Sequence, residues 1–172
     1  MPDAEVLAAS HGRIAQLRVI GRATFKISQN TKEFCLRSIG GGAGQLIIDF
    51  SECLAMDSTF MGVLAMVGLE CAEKKCDIVF VNADAHLRGL LENLGIDGLF
   101  RFSQQKVAEV SFTSLCSAAG QAADMSQVAD TVLEAHKTLM QVAPANVPRF
   151  KNVVDMLSAD IEHLKKTEGD SR

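Results

Sequence analysis

The chain contains 172 residues with 17 Lys and Arg against 21 Asp and Glu, so its formal net charge is −4. A chain of this length can bury one core, and its hydrophobic fraction of 48% excludes a wholly disordered protein. The acidic balance argues against a nucleic-acid partner, and no apolar run approaches the roughly 20 residues that a membrane span requires.

The N-terminal part is predicted to consist of a flexible start, a strand and a short helix. Residues 1–12 are expected to be flexible, and they lack the basic start and apolar core of a signal peptide, so we expect a cytoplasmic protein. Apolar residues at 14–20 predict a strand. Asn30, followed three residues later by Glu33, has the spacing of a helix cap, and the glycine run at 40–44 ends the predicted helix.

Strands and helices then alternate up to about residue 102. Short runs of branched apolar residues are typical of buried strands, and apolar residues at helical spacing indicate amphipathic helices. Because parallel strands need helical crossovers, this order predicts an α/β fold with a mostly parallel central sheet. The predicted elements are a strand at 45–50, a loop at 51–57, a helix at 58–73, a strand at 78–81, a helix capped by Asp84 and closed by Gly95, and a strand at 99–102.

The C-terminal part has a different character. Residues 107–116 could form a helix or an edge strand. Two later apolar stripes at helical spacing, separated by Pro144 and Pro148, predict a helical hairpin that could pack on the α/β unit or form a homodimer. The chain is therefore divided into a flexible N-terminus at 1–12, an α/β domain at 13–116, a linker at 117–125 and a C-terminal helical hairpin at 126–172.

Side chains that could carry chemistry are scattered along the chain. The four histidines are far apart and the five cysteines form no CxxC pair, so neither a metal site nor a cofactor is predicted. The cysteines are expected to be reduced, and several of them buried. The glycine run at 40–44 follows a helix and opens a strand, the reverse of a phosphate-binding loop. Asp49 and Glu52 lie near a strand end, but two such carboxylates are too common to indicate acid–base catalysis.

The most informative stretch is the start of the helix at 58–73. Asp57, Ser58 and Thr59 have side chains that can cap the free N–H groups of its first turn, and a well-capped helix is the simplest interpretation. The alternative is a regulatory site, because a phosphoryl group on Ser58 would add nearly two negative charges. The helix N-terminus tolerates that charge, whereas Asp57 and any acidic partner surface would oppose it.

At this stretch the sequence resembles the STAS family, the domain of bacterial anti-sigma factor antagonists. The family pattern is a strand that ends in Asp, a loop, and Asp-Ser-Ser/Thr-Gly-Leu-Gly at the start of a helix. Here residues 47–50 are Ile-Ile-Asp-Phe, and residues 56–62 are Met-Asp-Ser-Thr-Phe-Met-Gly. Residues 81–83 and 87–100 are similar to the family's third strand, the helix after it and the closing Leu-Gly turn. The resemblance covers about residues 13–115.

The resemblance implies a protein-binding module that is not an enzyme. In such antagonists an anti-sigma factor that is also a serine kinase phosphorylates the serine after the Asp, which is Ser58 here, and a serine phosphatase reverses the modification. The unphosphorylated protein would bind the anti-sigma factor and so release a sigma factor. The partner-binding residues implied in this way are Asp57, Ser58, Thr59, Phe60, Met61 and Gly62.

Two features depart from the family pattern. Phe60 stands where the family usually has glycine, so it could block the usual docking or supply a new apolar anchor, and Thr59 is an alternative phosphorylation site. The hairpin at 126–172 has no counterpart in the minimal domain. Two other interpretations stay open: a non-phosphorylated STAS-type scaffold or oligomerisation module in a signalling complex, and a small α/β enzyme, which the fold class alone does not establish.

Overall fold

The computed structural model describes residues 4–104, 106–118 and 124–170. Within these ranges, short 3-10 helices occur at Asp97–Leu99 and Pro144–Asn146. The strands are β1 Glu5–His11, β2 Ile14–Ala23, β3 Gln45–Met56, β4 Asp77–Val81, β5 Arg101–Ser103 and β6 Thr113–Ser117. The helices are α1 Phe25–Gly40, α2 Ser58–Glu73, α3 Ala85–Asn93, α4 Met125–Val142 and α5 Val147–Gly169.

All six strands belong to one mixed sheet, in the order β5-β4-β3-β2-β1-β6. Strands β2 to β5 are parallel neighbours, whereas β1 is antiparallel to both β2 and β6. Helices α1, α2 and α3 form the crossovers between the parallel strands, as the alternating pattern predicts. The α/β fold with a mostly parallel sheet and a C-terminal helical hairpin is therefore confirmed.

The core lies between one face of this sheet and the helices. Phe80 in β4 is fully buried there, and its ring stacks on Phe100 with the centroids 4.0 Å apart. Burial of this apolar face supplies the main driving force for folding. Phe80 is in register with Ile48 of β3 and Phe102 of β5, and Ile48 is in register with Leu17 of β2.

The N-terminal segment corrects one prediction. Residues 1–12 are predicted to be flexible, but Glu5–His11 forms β1, which pairs with β2 on one side and β6 on the other. Gly12 opens the tight turn into β2 with the left-handed φ of +60° that such turns favour. The inward-facing side chains of β1 are small, so its alternation gives a weak sequence signal. Residues 1–3 lie outside the described residues.

Two predicted boundaries are also wrong. Helix α1 begins at Phe25 with Thr24 as its N-cap. Asn30 therefore lies inside the helix, where the backbone N–H groups already have partners. Strand β3 continues through the predicted loop to Met56, because β2 extends to Ala23 and pairs with β3 over that length.

The end of the α/β unit differs in detail from the prediction. Leu99 belongs to a 3-10 helix, so the last parallel strand is β5 rather than 99–102. Of the two alternatives for residues 107–116, the edge strand is found only from Thr113, where β6 begins, and residues 107–112 are neither strand nor helix. The predicted linker falls mainly on residues 119–123, which lie outside the described residues, and the division of the chain into domains stays a prediction.

The C-terminal hairpin packs on the α/β unit. Ala135 and Leu139 of α4 are fully buried in the same core as the sheet. Asn146, between the two helices, donates from Nδ2 to the carbonyl oxygens of Leu94 at 2.8 Å and Leu139 at 2.9 Å. Helix α5 is less covered, since Leu164 is 55% exposed. Of the two roles predicted for the apolar stripes, packing on the chain's own core is observed for α4.

Candidate functional site

Asp57 caps the starts of two helices. It follows β3 directly and is the N-cap of α2, where Oδ1 accepts a hydrogen bond from the N–H of Phe60 at 2.8 Å. Its Oδ2 accepts from the N–H of Phe25, at the start of α1, at 2.9 Å. A carboxylate is favourable in this position because both helices direct free N–H groups and the positive ends of their dipoles toward it. Asp57 thereby holds the first turn of α2 next to α1.

Ser58 is the first residue of α2, and its side chain contacts the C-terminal hairpin. Its Oγ lies 2.9 Å from Nε2 of His136 in α4. The other ring nitrogen of His136, Nδ1, lies 2.7 Å from the carbonyl oxygen of Val132. Because a carbonyl oxygen only accepts, we assign the proton of the neutral ring to Nδ1, and the Ser58 hydroxyl then donates to Nε2.

His136 is a site residue that the sequence analysis does not single out. It is 5% exposed, and the ring of Phe150 from α5 packs against it with the centroids 5.1 Å apart. A signal for it does exist, because His136 lies among the buried apolar positions of α4, where a polar side chain needs a partner. The sequence does not reveal which partner that is, since Ser58 lies 78 residues earlier.

The four residues after Ser58 are buried. The exposed fractions of Thr59, Phe60 and Met61 are 5%, 0% and 6%, and Gly62 faces α4. A Cβ atom at Gly62 would lie 2.5 Å from the carbonyl oxygen of Ala135, so the two helices touch there. Most of the predicted partner-binding set at 57–62 is thus covered by this chain. Phe60 in particular is a core side chain and not an exposed anchor.

Hydrogen bonds from Arg18, Ser51 and Asn82 hold Asp49 in β3. Oδ2 accepts from Nε of Arg18 at 3.0 Å, while Oδ1 accepts from the backbone N–H of Ser51 at 2.9 Å and from Nδ2 of Asn82 at 3.3 Å. Burial would raise the pKa of this carboxyl, but the hydrogen bonds from Ser51, Asn82 and Arg18 outweigh burial and lower the pKa below its usual value. Asp49 is therefore an ionised structural acceptor. Glu52, the other carboxylate near this strand end, is exposed.

The cysteines do not form a reactive site. All five are buried, as several were predicted to be, and burial raises the pKa of Cys53 and Cys116 to about 11 and that of Cys71 to about 12. The described residues contain no group of three or more His, Cys, Asp or Glu that could hold a metal ion. In the part of the chain that the structure describes, no helix has the length and apolar character needed to cross a membrane.

Comparison with known proteins places this arrangement in a family. Residues 6–101 match the family model described as Mlab, STAS domain, and helices α4 and α5 lie beyond the matched region. No curated protein matches the chain.

Two solved structures show the same fold. The chain is similar to the anti-sigma factor antagonist SpoIIAA in its unphosphorylated form, with 15% identity, a TM-score of 0.50, and coverage of 58% of this chain and 87% of that chain. It is also similar to a candidate anti-sigma factor antagonist from Thermotoga maritima, with 11% identity, a TM-score of 0.50, and coverage of 55% and 82%. At these identities the likeness shows the fold alone.

Proposed function

The chain belongs to the STAS domain family, and we propose that it is a cytoplasmic regulatory module that binds a protein partner and catalyses no reaction. The unphosphorylated protein sequesters an anti-sigma factor that is also a serine kinase. Phosphorylation at Ser58 releases this partner, and a serine phosphatase restores binding. The observation that carries the proposal is the position of Ser58, which opens α2 directly after the N-cap Asp57 and has a half-buried side chain.

Burial favours Ser58 over Thr59 as the modified residue. A kinase must reach the hydroxyl that it modifies, and Thr59 is only 5% exposed. The added charge at Ser58 would lie at the positive end of the α2 dipole, which stabilises it. The neighbouring carboxylate of Asp57 repels the same charge. Because these two effects oppose each other, phosphorylation should change the local electrostatic field with little effect on the stability of α2.

Phosphorylation of Ser58 breaks its hydrogen bond with His136, which joins the start of α2 to α4. The 2.9 Å between Ser58 Oγ and His136 Nε2 is the length of one hydrogen bond and leaves no space for a phosphorus atom and its oxygens. His136 is held from behind by the carbonyl oxygen of Val132 and by the ring of Phe150. We therefore propose that the partner binds a surface formed jointly by α4 and the start of α2, and that phosphorylation disrupts this surface.

Phosphosite analysis of the protein from its native cells tests the proposal. Intact mass and peptide mapping are compared for the wild type, Ser58→Ala and Thr59→Ala. We expect one phosphoryl group that maps to position 58, remains in Thr59→Ala and is absent from Ser58→Ala. Absence of phosphate under all growth conditions, or a phosphate at another residue, contradicts the proposal. A partner that binds Ser58→Ala and Ser58→Glu equally well also contradicts it.

A constitutive scaffold is a second candidate function. The packing of α4 over the start of α2 favours it, because this packing buries most of the predicted partner-binding residues. Since α4 closes on Gly62, a partner of such a scaffold would use another surface, such as the outer side of α5, where Met156 is 67% and Leu164 55% exposed. Mass in solution tests the oligomeric form of this function. A dimer that dissociates in the Met156→Ser, Leu164→Ser double variant supports it, whereas a monomeric wild type argues against self-assembly.

A further inference from the structure

Gln16 is a buried polar side chain in the middle of the sheet. It lies in β2 and is 1% exposed, and its Nε2 has no hydrogen-bond partner among the described residues. A buried donor without a partner costs free energy, and native proteins contain few of them. The donor therefore requires an explanation, which a bound molecule would provide.

The side chain of Gln16 lines a cavity on the sheet face opposite the core. Parallel register places Gln16 beside Ile47, Ile47 beside Val79, and Val79 beside Arg101, so the four residues form one row across β2 to β5. The cavity over this row has a volume of about 170 Å³. That is the liquid volume of about five or six water molecules, enough for a ligand of a few heavy atoms.

Described residues between β5 and β6 cover part of this cavity. The two strands lie at opposite edges of the sheet. Residues 106–108 line the cavity together with the strand residues, and the ring of Phe112 lies under the guanidinium of Arg18, 4.9 Å away. These residues thus lie over the same face as Gln16 and enclose the cavity in part.

The charges around the cavity favour an anion. Among the described residues, no Asp or Glu lines it, although the chain as a whole has a net charge of −4. The described lining includes the basic residues His11, Lys106 and Arg101. Arg101 already pairs with Asp77, with Nη2 and Oδ2 2.6 Å apart, so Lys106 is the lysine or arginine of this lining that has no carboxylate partner among the described residues.

We infer that this cavity binds a short aliphatic carboxylate. Its hydrocarbon part would lie against Ile47 and Val79, its carboxylate would accept the unused N–H of Gln16, and the basic rim would balance its charge. The site is independent of Ser58, which lies in α2 on the other face of the sheet. A small metabolic acid could therefore stabilise the domain without contact with the proposed phosphorylation site.

Butanoate titration with NMR detection tests this inference on the full chain. We expect butanoate to shift the side-chain amide resonances of Gln16 and the backbone amides of Ile47 and Val79. Gln16→Met keeps the side-chain length and removes the donor, so it should weaken butanoate binding by about 10-fold or more. Gln141→Met, on the exposed side of α4, is the matched control and should bind butanoate like the wild type.

Three results would overturn the inference. One is the absence of any butanoate-dependent shift at these residues, which would mean that the cavity holds water only. Another is binding of butan-1-ol with the same affinity as butanoate, which would show that the negative charge of the carboxylate plays no role. The third concerns stability: because Gln16→Met removes an unpaired buried donor, its Tm should rise by at least about 2 °C. A lower Tm would show that the amide has a partner within the protein.

Discussion

Gly62 of α2 and Ala135 of α4 lie so close that a Cβ atom at position 62 would stand 2.5 Å from the Ala135 carbonyl oxygen. Gly62 lies one helical turn after Ser58, and Ala135 is adjacent to His136, whose side chain joins Ser58 across the same two helices. The absence of a side chain at Gly62 is therefore what allows α4 to cover the start of α2. The position of α4 is the feature on which the proposed regulation depends.

Gly62→Ala should destabilise the protein by about 1–2 kcal/mol. Overpacking against the backbone of Ala135 costs about 1–3 kcal/mol, and the higher helix propensity of alanine offsets part of that cost. Urea denaturation measures the loss, and hydrogen exchange should show faster exchange in α4. Gly89→Ala, in α3 and facing open space, is the control and should stabilise by about 0.5–1 kcal/mol. Equal stability of the two variants would mean that α4 does not pack closely on Gly62.

His136→Ala should increase the fraction of the protein that is phosphorylated at Ser58 in native cells. The substitution removes the acceptor that holds the Ser58 hydroxyl and the ring that packs against Phe150, so the hydroxyl becomes more accessible. Phosphopeptide quantification measures the change. His163→Ala, on the exposed side of α5, is the control and should leave the phosphorylated fraction unchanged. An unchanged fraction in His136→Ala would show that α4 does not restrict access to Ser58.

Asp49→Asn should lower the free energy of unfolding by about 1.5–3 kcal/mol at pH 7, because it weakens hydrogen bonds to a charged acceptor and removes the carboxylate that pairs with Arg18. The folded-state pKa of Asp49 is below the value of about 3.9 in an unfolded chain. Its stabilising contribution is therefore complete above that value and is lost as the pH falls through the folded-state pKa.

Urea titrations at pH 7 and pH 3 distinguish this effect from a general loss of packing. The difference between the wild type and Asp49→Asn should be larger at pH 7 than at pH 3. Glu52→Gln, which changes an exposed carboxylate on the same strand, should match the wild type at both pH values. A difference that does not depend on pH would contradict the assignment of Asp49 as an ionised acceptor.

The cysteines of the folded protein should react slowly with a thiol-specific disulfide reagent. An exposed cysteine has a pKa near 8.5, so its reaction accelerates strongly between pH 7 and pH 9. Burial raises the pKa of Cys53 and Cys116 to about 11, so these thiols should stay protonated over that range. Their rate of reaction with the reagent should therefore increase little between pH 7 and pH 9. In denaturant all five should react at the rate of exposed thiols. Rapid reaction of the native protein would contradict the buried positions.

Local sequence signals were sufficient for the order of strands and helices in the parallel part of the fold and for the starts of two of its helices. Helix α2 begins at Ser58 after Asp57, and α3 follows Asp84, as their capping side chains predict. Gly95 has the left-handed φ of +69° expected just after a helix end. Each of these features depends on a few residues that are adjacent in the sequence, so local sequence is sufficient to predict it.

Contacts between distant segments determined the rest. The pairing of β1 with β6, the hydrogen bond from Ser58 to His136 and the second cap of Asp57 on α1 all join residues that are remote in sequence. Hydrophobic periodicity shows that a segment has a face to bury, but not which element will cover it. By itself the sequence therefore determined the α/β elements and placed Ser58 at a helix start. Only the tertiary structure decided that α4 covers this start, because that choice depends on the shapes of two surfaces that meet only in the folded chain.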